Sequence, residues 1–227
     1  MLKEKTMRIR YKPWARKELE ESEFYREKPE DFIGKWKEEF IRKSQPFFLE
    51  LGCGKGSFIA QKASKHSENN YLAIDLVDPM LGLSKRKIEE VYKLQNKEID
   101  NVLLTRFDIE RINLILKEED CVEGIYINFC NPWPRGKHHK KRLTYPKQLE
   151  KYKIFLKHDG KIYFKTDDDQ LFEDSINYFK NSGFEIEKIT RNLEQENDFW
   201  ENIETEHEKM FKEQGIKIKA CIAKNVN

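Results

Sequence analysis

The chain has 227 residues, of which 37% are charged, yet Lys+Arg (43) and Asp+Glu (41) nearly cancel. It is long enough to bury a substantial core without disulfide or metal staples, as one domain with an extension or as two small ones. Near-neutrality excludes general electrostatic stickiness, so an anionic partner has to be met at a local basic surface. No apolar run approaches the ~20 residues needed to cross a bilayer, and no leader-like segment stands out. Cys53, Cys121, Cys130 and Cys221 lack the close spacing of a zinc knuckle or a redox dithiol. A soluble, cytoplasmic protein with free thiols and no metal is expected.

Residues 1–28 carry Lys3, Lys5, Arg8, Arg10, Lys12, Arg16 and Lys17 around Pro13 and Trp14, with no sustained apolar period. They read as a basic, mobile arm ahead of a single α/β domain over 29–227. Pro29, Glu30 and Asp31 open a helix that presents Phe32, Trp36, Phe40 and Ile41 on one face, and Pro46 ends it. From there strands and helices exchange: strand 47–51, helix 57–66, strand 71–75, helix 80–94, strand 102–105 and a short helix around 112–116. A buried strand at 122–127 follows, then helix 145–156, strand 161–165, helix 168–181 and strand 184–189. A last strand at 216–223 alternates sides. The pattern predicts a doubly wound α/β fold, with a mostly parallel seven-stranded sheet and helices on both faces.

Such sheets bind ligands beyond the carboxyl ends of their strands. Glu50, Asp75, Asp108, Asn131 and Asp167 all fall at or just past successive strand ends. Any one of them is satisfied as an ordinary helix cap; five in register are harder to dismiss. The first strand runs into Glu50, then Gly52, Gly54 and Gly56 at alternate positions, a turn in which the backbone can approach a ligand closely. Its spacing differs from a P-loop and from the dinucleotide fingerprint, and Glu50 would repel a pyrophosphate. A cationic ligand with an ammonium or sulfonium group suits it better. Asp75, about 20 residues on, is placed to accept both hydroxyls of a ribose, and Asp108 to face an adenine amino group. Together they describe S-adenosylmethionine rather than NAD, with a bare strand-to-helix turn as the plainer alternative.

The second feature is N-F-C-N-P-W-P-R-G-K-H-H-K-K-R over 128–142. A buried strand ends here in polar groups, an aromatic between two prolines and a basic run without an acid, which suits chemistry on a nucleobase within a nucleic acid. Trp133 is placed to stack on the base, to wall the pocket or to plug the turn. His138 and His139 lack the partners a metal site needs, and no metal is assigned.

With both turns in view, the chain resembles the bacterial tRNA (guanine-N(7)-)-methyltransferases nearly end to end. The resemblance is carried by R-I-R-Y-K-P-W-A, E-L-G-C-G-K-G, the 128–142 segment, F-K-T-D and T-E-H-E-K-M-F. It implies a class I, Rossmann-like methyltransferase fold and methylation of a guanine in the variable loop of tRNA. It also implies a cofactor set of Glu50, Gly52, Gly54, Gly56, Asp75, Asp108 and Asn131. Substrate positions implied are Arg135, Asp167, Thr205, Glu206, His207 and Glu208. Lys137, His138, His139, Lys140, Lys141 and Arg142 fall on the RNA-contacting segment. Asp167 and Glu208 are the positioning and electrostatic candidates for catalysis, and a monomer or a homodimer is expected. The family's usual residues are Asp at 131 and Lys at 135; here they are Asn131 and Arg135. Either Asn131 only positions ligands through its amide, or a carboxylate there offsets charge growing on guanine and the enzyme is slow. Two rival readings remain: an exocyclic-amine methyltransferase, and a non-catalytic RNA-binding protein with a vestigial glycine turn.

Overall fold

The computed structural model describes residues 11–196 and 199–226. Eight strands form one sheet: β1 (Tyr25–Arg26), β2 (Phe47–Leu51), β3 (Asn70–Asp75), β4 (Val102–Arg106), β5 (Val122–Asn128), β6 (Leu156–Thr166), β7 (Phe184–Thr190) and β8 (Lys219–Asn225). Their order is β1-β4-β3-β2-β5-β6-β8-β7. Every pairing from β1 to β6 is parallel, and β8 runs antiparallel between β6 and β7. The chain winds outward from β2 to one edge, then returns to β5 and winds to the other. The reversal therefore lies between β2 and β5, where a doubly wound sheet opens a crevice at its carboxyl edge.

Among the described residues, six α-helices complete the layers: α1 (Pro13–Glu20), α2 (Ser57–Lys65), α3 (Asp78–Leu94), α4 (Pro146–Phe155), α5 (Asp169–Asn181) and α6 (Glu206–Glu213). Proline opens α1, α3 and α4, and the Asp168 carboxylate caps α5 by accepting from the Leu171 N–H at 2.6 Å. Residues 70–74 of β3 are buried without interruption, as expected where both faces of a parallel strand are covered. Two apolar clusters result. The larger runs through the sheet and α2–α5. The smaller, around Leu193, Phe199, Ile218 and Ile222, packs together with Trp200 and Phe211 against Phe129 and Tyr163.

Several expectations are corrected. The arm does not stay off the domain: α1 buries Ala15 and Leu19 against α3, and Tyr25–Arg26 adds an eighth strand beside β4. Close approach is set at Gly82, where an added Cβ would stand 2.7 Å from that of Ala15. The Arg86 guanidinium lies 3.5 Å over the Trp14 ring. Residues 1–10 of the expected arm lie outside the described residues. The helix expected from 29 to 41 is instead two 3-10 turns, Pro29–Phe32 and Trp36–Glu39. Gly34 (φ 73°) breaks it, because the Gly34 and Trp36 N–H groups both donate to the buried Asp120 carboxylate. Trp36 is buried and Ile41 is 78% exposed, so the apolar spacing is not one helical face. The last strand spans Lys219–Asn225 and is almost wholly buried rather than alternating, since it is interior to the sheet.

Candidate active site

The crevice is built from the β2 end. Gly52 and Cys53 donate their N–H groups to the Ile74 carbonyl at 2.9 and 3.1 Å, while the Gly54 N–H reaches Asp75 Oδ2 at 3.0 Å. Gly52 (φ +79°) and Gly54 (φ +54°) occupy the left-handed region, and a Cβ on either would meet open space. Gly56 serves differently: a Cβ there would lie 2.7 Å from Ser84 Cα, so it seats α2 on α3 rather than facing a ligand. A cavity of about 150 Å³ opens between this turn, Asn128, Phe129 and the start of α6 at Thr205, Glu206 and His207.

Glu50 forms part of its wall, 2% exposed. Its Oε1 accepts from Asn128 Nδ2 at 3.1 Å, and its Oε2 is buried without a partner. Burial pushes this carboxyl up to about 8; the Asn128 hydrogen bond and the Lys165 charge act in the opposite direction. Asp75 also accepts from the Val77 N–H at 3.0 Å, so one carboxylate ties the glycine turn to the start of α3. Burial raises its pKa, and these backbone donors counter the rise.

The remaining strand-end residues divide. Asp108 caps the next 3-10 turn through the Glu110 N–H at 2.9 Å and lines a separate recess with Arg106 and Arg111. Asn131 is exposed, and its Oδ1 accepts from the Trp133 N–H at 3.1 Å. It thereby pins a turn in which Phe129 and Trp133 take φ of 51° and 45°. Trp133 is half-buried with Lys141 Nζ 5.0 Å over its ring and His138 edge-on at 5.8 Å. Asp75, Asp108 and Asn131 all lie outside the lining of the cavity itself.

Arg135 is exposed and leads into the 3-10 run Gly136–Lys141, which presents Lys137, Lys140 and Lys141 to solvent with His138 and His139 half-buried. Partial burial and the neighbouring lysines lower the His138 pKa. Arg142 does not belong to this surface. It is 1% exposed, donating Nε to the Pro132 carbonyl at 2.7 Å and Nη1 to Asp174 Oδ2 at 2.6 Å. A buried guanidinium held this way fastens the turn to α5 and cannot reach a phosphate.

Glu208 is also corrected. It is 1% exposed, and its Oε2 accepts from Lys165 Nζ at 2.6 Å and from the Thr205 N–H at 3.2 Å. Its Oε1 accepts from Asn202 Nδ2 at 2.6 Å, and Thr205 returns a bond to the Glu208 N–H. This is a capping box with a buried counter-ion, so Glu208 shapes the site without facing a base. Thr205, Glu206 and His207 do reach the cavity; Glu206 pairs with Lys55 across it at 3.5 Å, and His207 stacks on Phe129 at 6.0 Å. Asp167 is half-buried at the β6 end; burial raises its pKa, opposed by Lys219 and His207. Sequence reasoning passed over Asn128, Phe129, Phe58 and Lys165. Lys165 had a visible signal, a lysine directly after the apolar run of 162–164 on the same expected strand.

These features meet their counterparts in known proteins. A family model described as a putative methyltransferase matches residues 44–221. A tRNA (guanine-N(7)-)-methyltransferase of Clostridium beijerinckii is 56% identical over 97% of this chain and 100% of its own. The chain belongs to the tRNA (guanine-N(7)-)-methyltransferase family. Its fold is that of the class I methyltransferases. A 16S rRNA methyltransferase superposes with a TM-score of 0.57 at 13% identity, covering 80% of this chain and 88% of that one. An S-adenosylmethionine dependent methyltransferase described as putative, from Listeria monocytogenes, does so at 0.51 and 17%, covering 80% and 91%. The family's methyl donor is S-adenosylmethionine. The residues present fit it: Glu50 Oε2 is a buried acceptor with no hydrogen-bond partner, and a Cβ on Gly52 or Gly54 would meet open space. Among the described residues, no helix is long and apolar enough to cross a membrane, and no group of three or more His, Cys, Asp or Glu could hold a metal ion.

Proposed function

We propose that this protein methylates the 7-position nitrogen of a guanine in the variable loop of tRNA. What supports the reading is a cavity at the glycine turn and an exposed basic run on one carboxyl edge, in a chain 56% identical to an enzyme of that name. When bound, the cofactor supplies an electrophilic methyl group on a sulfonium. The guanine nitrogen has an in-plane lone pair and no proton, so attack needs no general base and the protein's task is alignment.

Glu50 and Asp75 hold the donor's amino-acid and ribose ends, and Asp75 does so through the turn it already organises. Asp167, at the β6 end beside His207, accepts from the base's N–H edge and opposes the positive charge that grows on the ring. Thr205 and His207 close the wall, and Arg135 with 137–141 holds the phosphates, which sets register rather than sequence choice. Asn131 acts as a turn-former, a task its carbonyl oxygen performs as an aspartate oxygen would. The test is methylation of unmodified tRNA with labelled cofactor, followed by digestion and identification of the nucleoside. Label in 7-methylguanosine from the variable loop is expected; label on an exocyclic amine, or none, overturns the reading.

A further inference from the structure

The cavity wall formed by Thr205, Glu206 and His207 belongs to a segment outside the larger core, and most of its polar ties to the sheet layer are weak. The Lys55–Glu206 pair spans 3.5 Å with both side chains more than half exposed, at 55% and 57%. Lys62 reaches Glu201 at 3.0 Å, where the carboxylate is 49% exposed. Lys165 is different. Its side chain is 1% exposed, and its Nζ donates to Glu208 Oε2 at 2.6 Å, Asn202 Oδ1 at 3.0 Å and the Ile203 carbonyl at 3.1 Å. An ammonium has three hydrogens, and all three are given to this one segment. The Phe58 and Phe129 rings flank the group at 5.6 and 5.7 Å.

Register gives Lys165 a second neighbour. Glu50 pairs with Tyr126, Tyr126 with Tyr163, and Asn128 with Lys165. Because side chains alternate faces, Glu50, Asn128 and Lys165 form a row across three adjacent strands. Asn128 bridges directly to Glu50, so the lysine's charge stands one side chain away from the carboxylate. Asp75 and Cys53 face Glu50 from the other side, and Glu208 and Glu204 face Lys165 from the wall.

We propose that Lys165 is a positioning residue for methyl transfer, docking the 202–208 wall onto the sheet and lending its positive charge to Glu50 when the donor's cationic end draws out the carboxylate. The inference rests on reading this cavity as the methyl-donor site. Removing the lysine alone strands the buried Glu208 carboxylate, so the informative protein is Lys165→Met with Glu208→Gln, compared with Lys165→Arg. S-adenosylmethionine affinity is measured by calorimetry from about pH 6 to 9, with thermal unfolding of each variant and kcat on tRNA at saturating cofactor. The double variant is expected to fold and to bind several-fold more weakly at neutral pH, because the Lys165 charge that favours the Glu50 carboxylate is gone. The pH at which its affinity levels off should move upward, while Lys165→Arg recovers the wild-type profile. A folded double variant with wild-type affinity and pH profile overturns the proposal, leaving Lys165 a structural pair only. Wild-type protein that binds the donor with this pH dependence but leaves tRNA unmethylated would sink the substrate reading and spare this one. Wild-type protein that fails to bind the donor would sink both.

Discussion

Donor binding should expel a proton from Glu50. The carboxyl is buried, one oxygen has no partner, and its pKa is raised from 4.5 to about 8. At pH 7 it is therefore protonated in a ratio of about ten to one in the ligand-free protein. A sulfonium and an ammonium arriving in the cavity demand the carboxylate, so about 0.9 proton leaves per donor bound, at a cost of about 1.4 kcal/mol or tenfold in Kd relative to pH 9. Titration calorimetry in phosphate and in Tris, which differ widely in ionisation enthalpy, reads this directly: the two enthalpies should diverge at pH 7 and converge at pH 9. Glu50→Gln should abolish both the divergence and the pH dependence of affinity. Stability supplies an independent check of sign. A carboxyl with a raised folded pKa holds more protons in the native than in the unfolded state, so its contribution is greatest below about 4.5 and is lost as pH rises to about 8. Ligand-free Glu50→Gln should lack that slope. Identical calorimetric enthalpies in the two buffers at pH 7 would refute the reasoning.

Other consequences are more local. Asn131→Asp keeps the acceptor for the Trp133 N–H, so the methylation rate should stay within about twofold; a large gain would show that charge at this position matters. Arg142→Ala removes the ion pair of Asp174, which keeps only Gln170, and the partner of the Pro132 carbonyl, and should cost about 2–4 kcal/mol in urea denaturation. Lys140→Ala should leave stability alone and lower the salt slope of tRNA binding by about 0.7–0.9. Gly54→Ala should cost only the left-handed strain of about 1 kcal/mol while weakening donor binding, because its Cβ would enter the open cradle. Gly56→Ala, which collides with Ser84, should instead show its loss chiefly in the melting temperature.

The elements legible in the sequence were those whose pattern has a local cause. The strands at 47–51 and 71–75 declare themselves by short apolar runs broken only by Glu50 and Asp75, and the glycine turn by its spacing, because covering both sheet faces and leaving room for a ligand are demands on neighbouring residues. What stayed hidden was decided at long range. Asp120 lies more than eighty residues from Gly34 and Trp36, yet its two bonds to them break the expected helix. Ala15 and Leu19 give α1 too narrow an apolar face to distinguish it from an arm, until Gly82 lets α3 come close.

The same division runs through the site, and it explains which assignments moved. Arg142 and Lys141 are adjacent cations in one basic run, and composition cannot separate them. One is buried on Asp174 and the other covers Trp133 in solvent, because the 3-10 turn ends between them and aims their side chains apart. Glu208 sits in an acidic stretch as an ordinary surface residue would, and only the lysine on β6 reveals why it is buried. Glu50, Asn128, Lys165 and Glu208 thus form one series, acid, amide, base and acid, from the floor of the cavity to its wall. Lys165 holds the wall through Glu208 and stands one side chain from Glu50, so the cavity should respond to substitution as a unit. Losses from Glu50→Gln and from the Lys165→Met with Glu208→Gln pair should therefore fall short of additive when combined. Strict additivity in donor affinity would show that Glu50 acts independently of the wall.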